Sequence, residues 1–154
     1  MSYLLRSSAF DAVICAGVLD YVPWSSLPEV QREIDRVLKP GGTVIVCGTS
    51  NRLWPWEMHS RRFFANYRPR WLDRIAGREV QRGVWPWTVR YGFGRYKNLD
   101  WLDRCAAYTA ARVRMPGGDG RRALSVAAGC LRPFGLTPGL LTPSLSLALR
   151  KESR

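Results

Sequence analysis

This sequence of 154 residues lacks the features of several specialised protein classes. It has no apolar run near the roughly 18 residues of a membrane-spanning helix, and residues 1–10 lack the ordered charged, apolar and small-residue regions of a signal peptide. Its four cysteines lie far apart and form no CxxC pair, so we expect buried apolar side chains and no metal site. These absences predict one cytoplasmic domain, for which 46% apolar residues provide a sizeable core.

Lysine is also scarce, and arginine therefore carries nearly all of the net charge of +12. A basic chain of this kind attracts phosphate backbones or anionic lipid surfaces. The arginines are spread along the sequence, however, and no zinc-finger, RNP-like or helix-turn-helix pattern accompanies them. We therefore predict no specific nucleic-acid site, and peripheral contact with a membrane stays open.

The first part of the chain has the pattern of a strand, a helix and a second strand. The apolar run at 12–16, which Gly17 ends, is typical of a parallel strand buried on both faces. The capping-box sequence "SLPE" predicts a helix over residues 27–38, and "KPGG" at 39–42 ends it. The β-branched run "TVIVCG" at 43–48 predicts a second strand. Such a unit has two parallel strands joined by a crossover helix.

The rest of the chain is less regular. Across residues 49–93 aromatic residues mix with arginine without a clean period, which indicates a lid-like insertion with short helices, one of them near 70–76. Asn98 is expected to cap a helix that runs to about Arg114, and a shorter helix follows the break at "MPGGDG". The last stretch predicts two strands around residues 137–139, the second with alternating leucines. We divide the single domain into a βαβ core, a lid-like insertion and a carboxyl-terminal part, at 1–48, 49–96 and 97–154.

Two stretches carry a resemblance to a known family. They are "FDAVICAGVLDYVP" at 10–23 and "EIDRVLKPGGTVIV" at 33–46, and "TSNR" at 49–52 follows them. They resemble the fourth strand and loop, and the next helix and strand, of class I S-adenosylmethionine-dependent methyltransferases of the type 11 group. The resemblance implies an α/β fold: a partial Rossmann-like methyltransferase fold with a mostly parallel sheet, a C-terminal antiparallel hairpin and an aromatic and arginine-rich lid insertion.

The resemblance covers most of this chain but only the carboxyl-terminal half of the family's domain. The family binds its cofactor chiefly with a glycine-rich loop after the first strand and an acidic residue after the second. Neither feature is present in this sequence, because only nine residues precede Phe10. Two explanations are open: a truncated reading frame, or a partner chain that supplies the missing half.

The resemblance also implies where the ligands of the complete enzyme would lie. The methionine side of S-adenosylmethionine would be lined, largely through backbone, by Cys15, Ala16, Gly17 and Val18. His59 has the only side chain with an unperturbed pKa near neutrality, so it is a candidate general base that Glu57 would orient. The acceptor would meet aromatic, amide and basic side chains of the insertion, namely Asn51, Arg52, Trp54, Trp56, Arg61 and Arg62.

Two functions from different classes remain after these observations. One is S-adenosylmethionine-dependent methyl transfer to a small or lipid-like acceptor, as the carboxyl-terminal part of such an enzyme. The alternative is a non-enzymatic remnant or basic interaction module, which pairs with another chain or binds an anionic surface. The same aromatic and basic residues suit either an acceptor pocket, a lipid headgroup boundary or a packed surface with solvated arginines. Whether the chain is an enzyme is therefore left open by its sequence.

Overall fold

The computed structural model describes residues 5–57, 61–75, 77, 82–113, 121–134 and 136–153. The strands are β1 (Phe10–Ala16), β2 (Leu38–Ser50), β3 (Tyr96–Asn98) and β4 (Ser144–Lys151). The helices are α1 (Leu27–Val37), α2 (Arg70–Ile75), α3 (Pro86–Gly92), α4 (Leu99–Leu102), α5 (Ala106–Val113), α6 (Arg121–Leu131) and α7 (Pro138–Leu141). Short 3-10 turns lie at Ala65–Tyr67 and Arg132–Phe134.

The predicted βαβ unit is confirmed. β1 and β2 pair in parallel, with Val13 opposite Val44, and α1 connects them. The predicted capping box is wrong, because Ser26 has helical backbone angles and its side chain accepts no capping hydrogen bond in the described residues. The "KPGG" segment does end the helix, but it lies within β2 as an irregularity of the ladder, with Gly41 at φ +78°.

The sheet is mixed, and its strand order is β1-β2-β4-β3. β4 runs antiparallel to both of its neighbours, so the expectation of a mostly parallel sheet is wrong for the part of the chain that the structure describes. The predicted C-terminal hairpin is also wrong, since the residues before β4 form α7 instead of a strand. Pro138 occupies the first turn of that helix, where its missing N–H costs nothing, and Leu140 is buried.

One face of this sheet carries the core. Val44 and Val46 of β2 stand beside Leu149 and Leu147 of β4, and all four are buried. The same cluster takes in apolar side chains from α1, α3 and their flanking loops: Leu19, Leu27, Ile34, Val84, Val89 and Phe93. The predicted alternation of leucines in the last strand is therefore confirmed.

The opposite face of the sheet is open around β1. Ile14 is 65% exposed and its neighbour Ile45 is 37% exposed, and Ala12 and Ala16 on the same face are also exposed. Within the described residues β1 pairs only with β2, so it is an edge strand. The expectation that β1 is buried on both faces is thus wrong, because nothing in the described part of the chain covers this side.

The helix predicted from Asn98 to about Arg114 is divided into two. Asn98 caps it as predicted, its Oδ1 accepting a hydrogen bond from the Asp100 amide at 3.0 Å. Arg104 and Cys105 then adopt left-handed backbone angles, with φ +56° and +62°, which ends α4. The Asp103 carboxylate accepts a hydrogen bond from the Ala107 amide at 2.9 Å and so starts α5. The predicted end near residue 114 and the "MPGGDG" break lie outside the described residues, whereas the predicted helices near 70–76 and before Leu131 are confirmed.

The cysteines are all free. Cys15 and Cys105 are buried as expected, whereas Cys47 is half-buried and Cys130 is exposed. In the ranges given above, no group of three or more histidine, cysteine, aspartate and glutamate side chains is arranged to hold a metal ion. No helix in those ranges is both long and apolar enough to cross a bilayer.

Arg104→Gly tests the break between α4 and α5. Glycine adopts a φ of +56° without the steric cost of a Cβ, so the free energy of unfolding in urea should rise by up to about 1 kcal/mol. Ala110→Gly, at an exposed position inside α5, is the control and should lower it by about 1 kcal/mol. Equal destabilisation by both variants would mean that the helix is continuous.

Asp100→Asn tests a buried carboxyl group at the start of α4. Burial, together with the charge of Asp103, raises the pKa of Asp100 to about 6. A carboxyl pKa raised in the folded state makes the free energy of unfolding fall as pH rises from about 4 to about 6. The variant should remove this fall and be more stable than the wild type by about 1 to 2 kcal/mol above pH 6, allowing for partial screening by water. Thermal unfolding at pH 4 and pH 7.5 measures the difference, and an equal gain at both pH values would contradict it.

Candidate functional site

The carboxyl ends of β1 and β2 meet at one edge of the sheet, where open α/β folds bind their ligands. Gly17 and Gly48 follow the two strands, at φ +61° and +69°. The Gly17 amide donates to the Cys47 carbonyl at 2.9 Å, and a Cβ on Gly48 would lie only 3.2 Å from the Gly17 nitrogen. The two glycines therefore let the strand ends approach closely and leave the loop after β1 without bulky side chains.

The four predicted cofactor residues lie at the end of β1 and the start of the loop that follows it, and they differ in exposure. Ala16 and Val18 are exposed and Gly17 is partly exposed, so their backbone is open to a ligand. Cys15 instead packs on the buried face, where burial, and then the neighbouring Cys47, raise the pKa of its thiol. The backbone at the end of β1 is thus accessible from solvent at Ala16, Gly17 and Val18. The cofactor role of all four residues stays a prediction.

A polar cluster that the sequence did not single out supports this edge. The Asp20 carboxylate is buried and accepts a hydrogen bond from the Ser50 amide at 3.3 Å. The hydroxyl groups of Thr49 and Ser50 are buried and have no hydrogen-bond partner within the described residues. The signal for this cluster was the polar run that begins as soon as the apolar part of β2 ends. It leaves hydrogen-bonding capacity at the carboxyl edge of the sheet.

Asn51, a predicted substrate residue, is buried as a structural junction. Its Nδ2 donates to the carbonyls of Leu140 and Thr142 at 2.9 and 2.8 Å, and its Oδ1 accepts from the Leu53 amide at 3.0 Å. Asn66, which the sequence analysis missed, makes the same kind of contact, since its Nδ2 donates to the Trp54 carbonyl at 2.9 Å. Two buried asparagines therefore fix the start of the insertion to the rest of the fold.

Of the predicted catalytic pair, the structure describes only Glu57. Glu57 is fully buried, and its amide donates to the Arg62 carbonyl at 3.0 Å. His59 lies outside the described residues, so its distance from Glu57 is not defined. The assignment of His59 as a base oriented by Glu57 therefore stays a prediction.

The other predicted acceptor residues are spread over the surface of the insertion. The Arg52 guanidinium lies 5.2 Å from the centre of the Trp85 ring, and the Trp54 indole donates to the Leu141 carbonyl. Trp56 makes an edge-to-face contact with Phe63, whereas Arg61 and Arg62 are exposed. These residues share the insertion without converging on one described cavity, and their role with an acceptor stays a prediction.

Comparison with known proteins agrees with this geometry. Residues 2–46, which contain β1, α1 and most of β2, match the sequence model of a family described as a methyltransferase domain. The chain is also 29% identical over 119 residues to the demethylmenaquinone methyltransferase of Lactococcus lactis subsp. lactis (strain IL1403). Both matches show that this chain is similar to class I S-adenosylmethionine-dependent methyltransferases. The resemblance seen at residues 10–23 and 33–46 is confirmed.

The methyltransferase relative is much longer than the matched region. The alignment covers 77% of this chain but only 46% of the relative, so the chain spans about half the length of the curated relative it matches.

Asn66→Ala tests the polar junction beneath the insertion. The variant leaves the Gly83 amide, which donates to Asn66 Oδ1 at 3.0 Å, and the Trp54 carbonyl without these partners. The free energy of unfolding should fall by about 2 to 4 kcal/mol, and trypsin should cleave after Arg61 or Arg62 faster. Arg68→Ala, at a nearby exposed position, should change stability by less than about 0.5 kcal/mol. If both variants change the free energy of unfolding and the cleavage rate equally, Asn66 does not stabilise this junction.

Proposed function

We propose that this chain forms the carboxyl-terminal part of an S-adenosylmethionine-dependent methyltransferase that acts on a small or lipid-like acceptor. The observation that carries the proposal is the β1–α1–β2 unit, most of which the methyltransferase family model matches and in which β1 leads into the open segment Ala16–Val18. Fold alone does not define an activity, so the proposal depends on this segment as well as on the family match.

The open side of β1 supports the view that the rest of the domain comes from elsewhere. Parallel strands in α/β proteins have both faces covered, yet Ile14 and Ile45 are exposed here. The edge of β1 would also accept another strand. In this proposal a further segment of the protein, or a partner chain, pairs with β1, covers its open face and supplies the glycine-rich cofactor loop.

The cofactor supplies an electrophilic methyl group when it is bound, so the protein has to align the acceptor with it. In our proposal the backbone of Ala16, Gly17 and Val18 contacts the methionine end, and Gly17 permits a close approach. Cys15 would act through its backbone, because its side chain packs on the opposite face. Where the acceptor has to lose a proton, His59 would accept it and Glu57 would orient the imidazole.

The acceptor proposal rests on the composition of the insertion. Its exposed aromatic rings offer contact to a flat apolar molecule, and Arg52, Arg61 and Arg62 would meet an anionic group. Trp54 and Trp56 would provide apolar walls, with Asn51 fixing the segment from beneath. The relative from Lactococcus lactis is named for demethylmenaquinone, a lipid-like quinone, which agrees with an acceptor of this class.

Calorimetric titration with S-adenosylhomocysteine tests the cofactor proposal, and two glycines form a matched pair for it. Gly17 and Gly94 have similar angles, φ +61° and +65°, so alanine causes similar backbone strain at both. Neither new Cβ would clash, since the nearest atom to the one on Gly17 is at 3.7 Å and none lies within 4 Å at Gly94. Gly17→Ala should weaken binding at least about tenfold by filling the cofactor's space, and Gly94→Ala should leave it unchanged.

Two outcomes would contradict the cofactor proposal. One is the absence of binding heat with the wild-type chain at ligand concentrations up to about 1 mM, or about 4 kcal/mol of affinity, which would contradict cofactor binding by this chain on its own. The other is an equal loss of affinity in both alanine variants, because that would reflect strain in the backbone instead of contact with the ligand. Circular dichroism of both variants verifies that the fold is kept.

A further inference from the structure

Four aromatic side chains of the insertion form one continuous exposed group, which we call the aromatic patch: Trp56, Phe63, Phe64 and Tyr67. The Trp56 and Phe63 ring centres lie 4.6 Å apart, and those of Phe63 and Phe64 lie 6.4 Å apart. Phe63 is 65% exposed and Phe64 is 63% exposed. Neighbouring exposed phenylalanines are costly in water, so a contiguous group of them marks an interaction surface.

The exposed charged residues described within positions 56–68, the segment of the aromatic patch, are all arginines. Arg61, Arg62 and Arg68 are exposed, and none of them forms an ion pair within the described residues. Glu57 is the only acidic residue between positions 51 and 72, and it is buried. The surface therefore combines apolar rings with uncompensated positive charge, which is complementary to a partner that is apolar inside and anionic at its surface.

Backbone contacts connect the residues of the aromatic patch. Trp56 and Phe63 make an antiparallel bridge, and the Phe64 amide donates to the Pro55 carbonyl at 2.5 Å. Arg61 and Phe64 have left-handed angles, φ +52° and +59°, which are unfavourable for such residues. Since Asn66 anchors the segment from beneath, the rings are presented to solvent on a built support.

We propose that the aromatic patch docks this protein on the surface of an anionic lipid bilayer. Phe63 and Phe64 enter the boundary between headgroups and acyl chains, and Trp56 and Tyr67 lie at the level of the headgroups. Arg61, Arg62 and Arg68 contact lipid phosphates. This inference goes beyond methyl transfer and does not depend on cofactor binding, although docking would also bring a lipid-like acceptor within reach.

The contacts among the rings favour a bilayer over single-stranded RNA. A base stacks on the free face of an aromatic ring. Here the Trp56 and Phe63 planes meet at 83°, so one ring of the pair directs its edge at the other, and Phe63 and Phe64 are tilted by 44°. Rings that contact one another in this way form an apolar surface, whereas separate stacking platforms would stand apart.

Co-sedimentation with vesicles tests the docking proposal. The probes are vesicles of phosphatidylcholine alone and of phosphatidylcholine with about 30% phosphatidylglycerol, at about 0.1 M and 0.5 M salt. We expect binding to the anionic vesicles that falls with salt, and a blue shift of tryptophan emission on binding. Phe63→Ser with Phe64→Ser, and Arg61→Glu with Arg62→Glu, should each weaken binding at least about tenfold.

Matched controls and a competitor make the test decisive. Phe134→Ser with Tyr91→Ser removes two exposed aromatic rings elsewhere, and Arg6→Glu with Arg95→Glu changes the net charge equally; both should bind as the wild type does. Loss of binding in the control charge variant would overturn the proposal, because net charge alone would then explain the attraction. So would absence of binding by the wild type, or binding to a 20-nucleotide oligouridylate that is tighter than vesicle binding and equally sensitive to the patch variants.

Discussion

The antiparallel pairing of β2 with β4 is the contact on which the rest of the structure depends. β2 pairs with β1 on its other side, and β4 pairs with β3, so this one ladder joins the two halves of the sheet. Val44 and Val46 stand opposite Leu149 and Leu147, and all four are nearly or fully buried. Truncating a buried leucine of this kind costs about 2 to 5 kcal/mol. Because β4 lies between β2 and β3, the sheet forms only when residues 144–151 pair with strands that lie about 50 to 100 positions earlier in the sequence.

The same sheet is protected on one side and open on the other, and this asymmetry links the fold to the proposed function. The core face is covered by α1, α3 and their flanking loops, whereas Ile14 and Ile45 are exposed on the other face. Burying an isoleucine side chain contributes about 1.5 to 3 kcal/mol, so an open face of this composition favours a covering partner.

Local signals made much of the fold predictable from the sequence, and the failures have tertiary causes. Apolar periodicity identified β1, α1, β2 and β4, since each pattern repeats within a few residues. The break at Arg104 and Cys105 was missed because neither residue type signals a left-handed conformation. The short strand β3 is defined only by its pairing with β4, a segment about 50 positions later. We predicted a strand before β4, but a helix that begins at Pro138 forms there. The prediction failed because a short leucine-rich segment is compatible with either a strand or a helix.

The candidate site was predicted only where its residues are close in sequence. Glycines and aromatic residues can be recognised directly in the sequence. The hydrogen bonds of Asp20 with Ser50, 30 positions apart, and of Asn66 with Gly83, 17 positions apart, cannot. The bond of Asp20 and two further bonds of Asn66 converge on the backbone of residues 50–54, where β2 ends. Ser50 is bonded to the loop after β1, while the adjacent Asn51 is bonded to the segment before β4. Asn66 ties the aromatic segment to the same backbone. The backbone of residues 50–54 therefore connects the aromatic patch, through Asn66, with the loop after β1, through Asp20.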